Sequence, residues 1–146
     1  MPTGTGTDPI RVLHLLGSLE RGGVETWLLD LLERIDRRRW QFDFCTLGPD
    51  PGRLAACARH QGSHVLSCPL RMTGDGGIWS FPWRLYRLLR EGRYRLAHSH
   101  VHRFSGVVLA VARAAEVPDR IAHSHNTQDG RSNTFGRACY RWRPRR

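Results

Sequence analysis

Apolar residues in this chain fall into short runs, separated by longer stretches in which apolar positions recur every three or four residues. Arg11 to Leu16 is a nearly continuous apolar run, the mark of a strand buried on both faces of a parallel sheet. Gly17 to Gly23 is a glycine-bounded loop. Val24, Trp27, Leu28, Leu31, Leu32 and Ile35 then define one face of a helix. Trp40 to Leu47 predicts a second strand, Pro49 to Gly52 a turn, Arg53 to Gln61 a short helix closed by Gly62, and Val65 to Cys68 a third strand.

Met72 to Gly77 predicts a glycine-rich loop. Ile78 to Arg90 predicts a helix carrying Trp79, Phe81, Trp83 and Tyr86, with Pro82 near its start and Gly92 ending it. Tyr94 to Ala97 and Arg120 to Ala122 are two further short apolar runs. Between them, Phe104 to Ala115 has helical spacing, with Phe104, Val107, Val108 and Val111 on its core face. Beyond Thr127 the periodicity fades. Residues 1–9 are rich in Gly, Thr and Pro and predict a disordered start. Residues 131–146 form an Arg-rich, poorly defined end, and there is no internal repeat. What remains is one domain over residues 10–130. Strands alternating with helices predict a Rossmann-like α/β fold, a parallel sheet with helices on both faces.

The last two runs end alike, in His98-Ser99-His100-Val101-His102 and His123-Ser124-His125-Asn126-Thr127. In open α/β sheets, polar residues just past strand carboxyl ends line the ligand crevice. The two elements are therefore expected side by side, facing one pocket. Imidazoles with Ser99, Ser124, Asn126 and Thr127 form a dense donor and acceptor set, suited to a hydroxyl-rich ligand such as a sugar. Two other readings stand beside this one. The histidines could serve only to bond loop backbones. Alternatively, His98, His100 and His102 have the H-x-H spacing of metal-dependent hydrolases. Such sites normally add a carboxylate, and none lies between Glu91 and Glu116; Asp129 is the nearby candidate.

The loop Gly17-Ser18-Leu19-Glu20-Arg21-Gly22-Gly23 matches neither the G-x-G-x-x-G fingerprint nor a Walker loop. Gly22 and Gly23 lack Cβ, so backbone amides at a helix N-terminus could approach an anion closely. A strand-to-helix turn needing positive φ would also place glycines there. Serine hydrolysis is excluded as a class, because no G-x-S-x-G elbow occurs and Ser105 lacks that context.

Length and composition are those of one soluble globular domain: 146 residues, 40% apolar and 25% charged. The net charge of +10 raises the question of nucleic acid. All 23 basic residues are Arg, however, and they are scattered. Arg34, Arg37, Arg38 and Arg39 close the first helix, where cations suit the dipole. No nucleic-acid partner is expected. Peripheral contact with an anionic membrane fits better, and the aromatic and basic stretch Trp79 to Tyr94 either packs inward or meets such an interface. Cys45, Cys57, Cys68 and Cys139 form no C-x-x-C pair and no zinc module, so reduced thiols are expected, with Cys45 in the core. The sequence shows no secretory signal and no apolar run of the roughly 20 residues that span a bilayer, which makes the cytoplasm the expected location.

Three segments together carry a resemblance. They are Val12-Leu13-His14 through Gly22-Gly23-Val24-Glu25-Thr26, then His98-Ser99-His100, then Ile121-Ala122-His123-Ser124-His125-Asn126-Thr127. In this order and spacing the chain resembles the N-terminal domain of family 4 glycosyltransferases, of the GT-B type, over residues 10 to 130. The resemblance implies the acceptor-side, Rossmann-like half of a two-domain enzyme. It implies transfer of a sugar from a nucleotide-sugar donor to a saccharide or lipid-linked acceptor, with retention and with no metal or other cofactor. Gly22 and Gly23 then match the loop that approaches the donor phosphate, and His125 a catalytic histidine near the transferred sugar. His98, His100, Ser124, Asn126 and Thr127 are the expected acceptor or sugar contacts. The donor-binding C-terminal half has no counterpart in the sequence. The expectation is a truncated enzyme, inactive or weak alone, unless a separate chain supplies that half. The alternatives are a metal-dependent hydrolase using His98, His100 and His102, and a non-catalytic sugar-binding module.

Overall fold

A computed structural model describes residues 8–70 and 80–124, the side chain of Arg103 excepted. Five strands and four helices alternate: β1 (Ile10–Leu16), α1 (Gly23–Arg34), β2 (Trp40–Thr46), α2 (Ala55–His60), β3 (Val65–Ser67), α3 (Phe81–Gly92), β4 (Leu96–Ser99), α4 (Ser105–Ala114) and β5 (Asp119–Ala122). A single 3-10 turn, His102–Phe104, leads into α4. The sheet is parallel throughout, in the order β3-β2-β1-β4-β5. This is the expected Rossmann-like α/β fold, and β1 lies at its centre.

Two cores sandwich the sheet. Val12, Leu16, Phe42 and Phe44 face one way, against Leu28 and Leu32 of α1 and Ala55 and Ala58 of α2. Leu13, Leu15, Cys45 and Ala97 face the other way, against Leu85 and Leu89 of α3 and Val108 and Ala112 of α4. With neighbours on both faces, β1 has no side that tolerates water, which is why it reads as a nearly continuous apolar run. Cys45 is in the core as expected, and Cys45, Cys57 and Cys68 are free thiols. Cys139 lies outside the described residues.

Several element ends differ from the sequence expectation. Strand β4 runs to Ser99, so His98 lies within the ladder, opposite His14 on β1 and Ile121 on β5. A polar residue can extend the strand here because its ring packs against the His14 ring on β1. Helix α2 starts two residues late. Gly52, with φ of +92°, bends the chain so closely over Leu19 that a Cβ would lie 2.5 Å from the Leu19 carbonyl carbon. Leu54 then donates its amide to Leu19 O at 2.8 Å, and Leu19 donates to Pro51 O at 2.7 Å. These bonds fasten the loop after β1 to the loop after β2. Finally, Gly92 is the last residue of α3, and Arg93 takes the left-handed cap at φ 50°. Gly92 stays glycine because the Tyr94 ring occupies the space of a Cβ.

At the amino edge of the sheet one buried carboxylate gathers four segments. Asp43 on β2 accepts bonds from Arg11 Nη2 at 2.6 Å and from the Tyr94 hydroxyl at 3.1 Å. Its second oxygen accepts from Gln41 Nε2 and the His64 amide, each at 3.0 Å. Arg11 also donates to Gly92 O at 2.7 Å and lies over the Tyr94 ring. Burial alone would raise the Asp43 pKa, but the bonds from Gln41, Arg11 and His64 prevail and hold it below the ordinary carboxylate value. Burial and the Asp43 charge push the Tyr94 phenol up, so it stays a donor.

Removing one partner from a buried ion pair strands the other, at a cost of about 3 kcal/mol or more. Asp43→Ala is therefore expected to lower the urea unfolding midpoint by that equivalent. The depressed pKa also fixes a sign: the carboxylate's contribution is complete above the ordinary carboxylate pKa and is lost as pH falls below it, through the lowered folded-state value. Asp43→Asn should flatten that acid limb of the stability curve, as followed by circular dichroism. Gly52→Ala must accept both a positive φ and a backbone clash, and should cost about 1–3 kcal/mol in the same assay.

Candidate functional site

The carboxyl ends of β1, β4 and β5 meet on one side of the sheet. The order reverses between β1 and β4, since one connection leads left to β2 and the other leads right. Open α/β sheets form their ligand crevice at such a switch point. The chain places its glycine loop and its histidines there.

The glycine loop leaves β1 at Gly17 and ends where α1 begins. Gly22 is the N-cap, with extended φ of −135°, and no side chain caps the helix. Gly23 is the first helical residue. Neither has positive φ, so the turn that would have demanded glycine is not present. A Cβ on Gly23 would meet nothing within 4 Å, and one on Gly22 would meet only the Glu25 carboxylate. The two glycines therefore leave open space before the uncapped amides and positive dipole end of α1. This is the geometry an anion needs to approach. Glu25 lies over it and would have to swing aside.

The two histidine elements lie side by side, as expected. His123 donates its amide to Ser99 O at 2.8 Å, and the His123 ring stacks on His98 at 5.6 Å with an interplanar angle of 6°. His100 lies 4.1 Å from His98 and 5.7 Å from His123, ring to ring. Ser124 Oγ sits 3.5 Å from His102 Nδ1, which links the elements further out. His100 donates its amide to Leu15 O at 2.9 Å, which ties β4 to the end of β1. His98, His100 and Ser124 are thus brought together at one edge. His125, Asn126 and Thr127 lie outside the described residues.

Strand alternation removes one residue from the expected lining. Ser99 points to the opposite face, where its hydroxyl meets Ser105 Oγ at 2.9 Å in the core under α4. Its role is packing. Alternation also adds one residue that the sequence reading missed. His14 on β1 is directly opposite His98 and 3% exposed. Its Nδ1 is 3.3 Å from His100 Nε2, and its ring packs against Phe42 and Phe44. Burial and the neighbouring His98 lower its pKa to about 3, so it stays a neutral imidazole. A polar residue at the same alternation as Val12 and Leu16 was the available signal.

The nitrogens that converge are those of His14, His98 and His100, all within 4.8 Å of one another. His102, the third member of the hydrolase alternative, is exposed and not in that group. Among the described residues no carboxylate joins it. The carboxylate that such hydrolase sites normally add is therefore missing from the described cluster. A separate groove along the amino edge, near Arg11, His64, Trp83, Arg84 and Arg87, lies away from this chemistry.

Comparison with known proteins gives a consistent picture. The family model Glycosyltransferase Family 4 matches residues 21–146. EpsF of Bacillus subtilis (strain 168), named as a glycosyltransferase, is 33% identical over 118 residues, covering 80% of this chain and 30% of EpsF. CapH of Staphylococcus aureus, named as a capsular polysaccharide biosynthesis glycosyltransferase, is 25% identical over 122 residues, covering 84% of this chain and 32% of CapH. The chain spans about a third of the length of these relatives. The matched span takes in the two glycines, both histidine elements and every strand after β1. The chain therefore belongs to glycosyltransferase family 4, and its sheet is a Rossmann-like half of the GT-B architecture.

Proposed function

We propose that this domain is the acceptor-side half of an enzyme that transfers a sugar, with retention, from a nucleotide-diphosphate sugar to a saccharide or lipid-linked acceptor. The observation that carries it is the convergence of the Gly22–Gly23 opening and the histidine elements at the one switch point of the sheet. The amides at the start of α1 meet the donor's phosphate charge. His98, His100 and Ser124 present hydrogen-bonding groups to sugar hydroxyls. By family resemblance, His125 is the catalytic contact to the transferred sugar, and Asn126 and Thr127 complete the lining. Charge on the departing diphosphate is stabilised by amides and basic groups, so the transfer needs no metal or other cofactor.

The substrate names carried by the relatives favour polysaccharide assembly, since CapH is named for capsular polysaccharide biosynthesis. Such acceptors are often membrane-borne, and α3 offers a face for that setting. Trp83 is 63% exposed and stacked on Tyr86, with Arg87 and Arg90 along the same helix. No described helix is long and apolar enough to cross a membrane. The setting we propose is the cytoplasmic face of an anionic membrane, without a nucleic-acid partner.

Two outcomes test this. Saccharide titration followed by NMR should shift the His98 and His100 imidazole signals, and His98→Ala should weaken binding about tenfold, as expected for a lost hydrogen-bonding contact. Signals that stay fixed with every saccharide tried would count against the sugar site. Gly23→Ala should leave thermal stability unchanged or raise it by up to about 1 kcal/mol, because its Cβ meets nothing within 4 Å. The same variant should weaken binding of a nucleoside diphosphate, measured by calorimetry. Unaltered affinity would remove the phosphate role of the loop.

A further inference from the structure

The family reading uses His98 and His100 but gives His14 no task, and His14 is the most unusual histidine in the chain. It is 3% exposed, at the centre of the sheet, where an apolar residue would fill the same space. Its Nε2 is buried and has no hydrogen-bond partner among the described residues. The other ring nitrogen, Nδ1, is the one that faces His100 Nε2. Phe42 and Phe44 wall one side of the ring, at 4.7 and 5.7 Å between centroids. His98 and His100 occupy the other side, at 5.2 and 5.5 Å.

We propose that His14, His98 and His100 form a binding site for a divalent transition-metal ion, Zn²⁺ above all. The His14 Nδ1 to His100 Nε2 separation is 3.3 Å. Two nitrogens bound to one tetrahedral ion at about 2.0–2.1 Å lie about 3.3–3.4 Å apart, which is the same spacing. One nitrogen from each of the three rings lies within 4.8 Å of the other two. Closing the widest pair requires at most about 1.4 Å, shared between two rings. His98 is half-buried, the most accessible of the three.

The ligand set chooses the ion. Imidazole nitrogens without a carboxylate favour Zn²⁺, Cu²⁺, Ni²⁺ or Co²⁺, whereas Mg²⁺, Ca²⁺ and Mn²⁺ prefer oxygen. Three histidines leave a fourth position, open to water or to His123, whose ring already stacks on His98. Backbone holds the ligands in place. His14 and His98 are fixed side by side by the β1–β4 register, and His100 by its amide bond to Leu15 O. On the sugar-site reading given above, an ion held here takes His98 and His100 away from sugar hydroxyls. Metal and saccharide would then exclude each other.

The test uses the full chain, stripped with a chelator and dialysed. Zn²⁺ is titrated against a chromophoric competitor, and Co²⁺ is added separately as a spectroscopic probe. One Zn²⁺ per chain is expected, with the intense visible bands of four-coordinate Co²⁺, and millimolar Mg²⁺ should not displace either. His98→Gln and His100→Gln should each weaken Zn²⁺ binding by about tenfold or more, while His102→Gln changes nothing. Sub-stoichiometric Zn²⁺, weak octahedral Co²⁺ bands, or equal loss in His102→Gln would overturn the proposal. Where a variant does not fold, the Co²⁺ spectrum of the unaltered chain decides. None of these measurements involves a donor or acceptor, so their failure leaves the transferase reading untouched, and failure of that reading leaves the metal site standing.

Discussion

Parallel pairing on both sides of β1 is the constraint on which the rest of the structure depends. Leu15 is matched with Cys45 on one side and with Ser99 on the other. A strand so placed has its backbone bonds satisfied laterally and its side chains buried above and below. From its carboxyl end the chain passes into the glycine loop. The same two ladders carry β2 and β4 to a common edge, so their following loops must flank that exit. The crevice is therefore a product of topology, and the loops supply its chemistry.

The two faces of the sheet use polar residues differently. Toward α3, the buried polar group is Asp43, a charge fully supplied with donors at the amino edge. Toward α1, it is the histidine row, uncharged at its buried member and set at the carboxyl edge. An ionised carboxylate in the interior is tolerated only with such complete pairing. Neutral imidazoles can be buried at smaller cost and still retain lone pairs and protons for a ligand. The buried charge and the histidine row thus face opposite sides of the sheet, one step apart in the β1–β2 register.

Much of this was legible in the sequence. The run Arg11 to Leu16, the helical spacing from Val24 to Ile35 and the two His-tipped elements placed the sheet, α1 and the crevice. Their signals are local, because a buried strand and an amphipathic helix write their neighbours into their own period. His14 and Asp43 were overlooked for the opposite reason. Each is a single polar residue inside an apolar run, and its partners come from distant segments: His98 and His100 for one, Arg11, His64 and Tyr94 for the other. Register between β1 and β4 decides whether His14 meets His98 or faces elsewhere, and nothing in either segment alone states it. Ser99 shows the converse, since its place in a polar motif suggested the crevice while strand alternation put it in the core.

The position of β1 also sets an order of events during folding. Its β2 neighbour is the next strand of the chain, whereas β4 becomes available only after β2, α2, β3 and α3 have been made. Pairing across such a span pays its loop-closure entropy before any contact rewards it, which makes it slow. Through that interval one flank of the central strand is an unpaired edge, with His14 and Leu15 next to vacant ladder positions. Nascent chains of this domain are then most open to mispairing before Ser99 has emerged, a window in which a chaperone would be of most use.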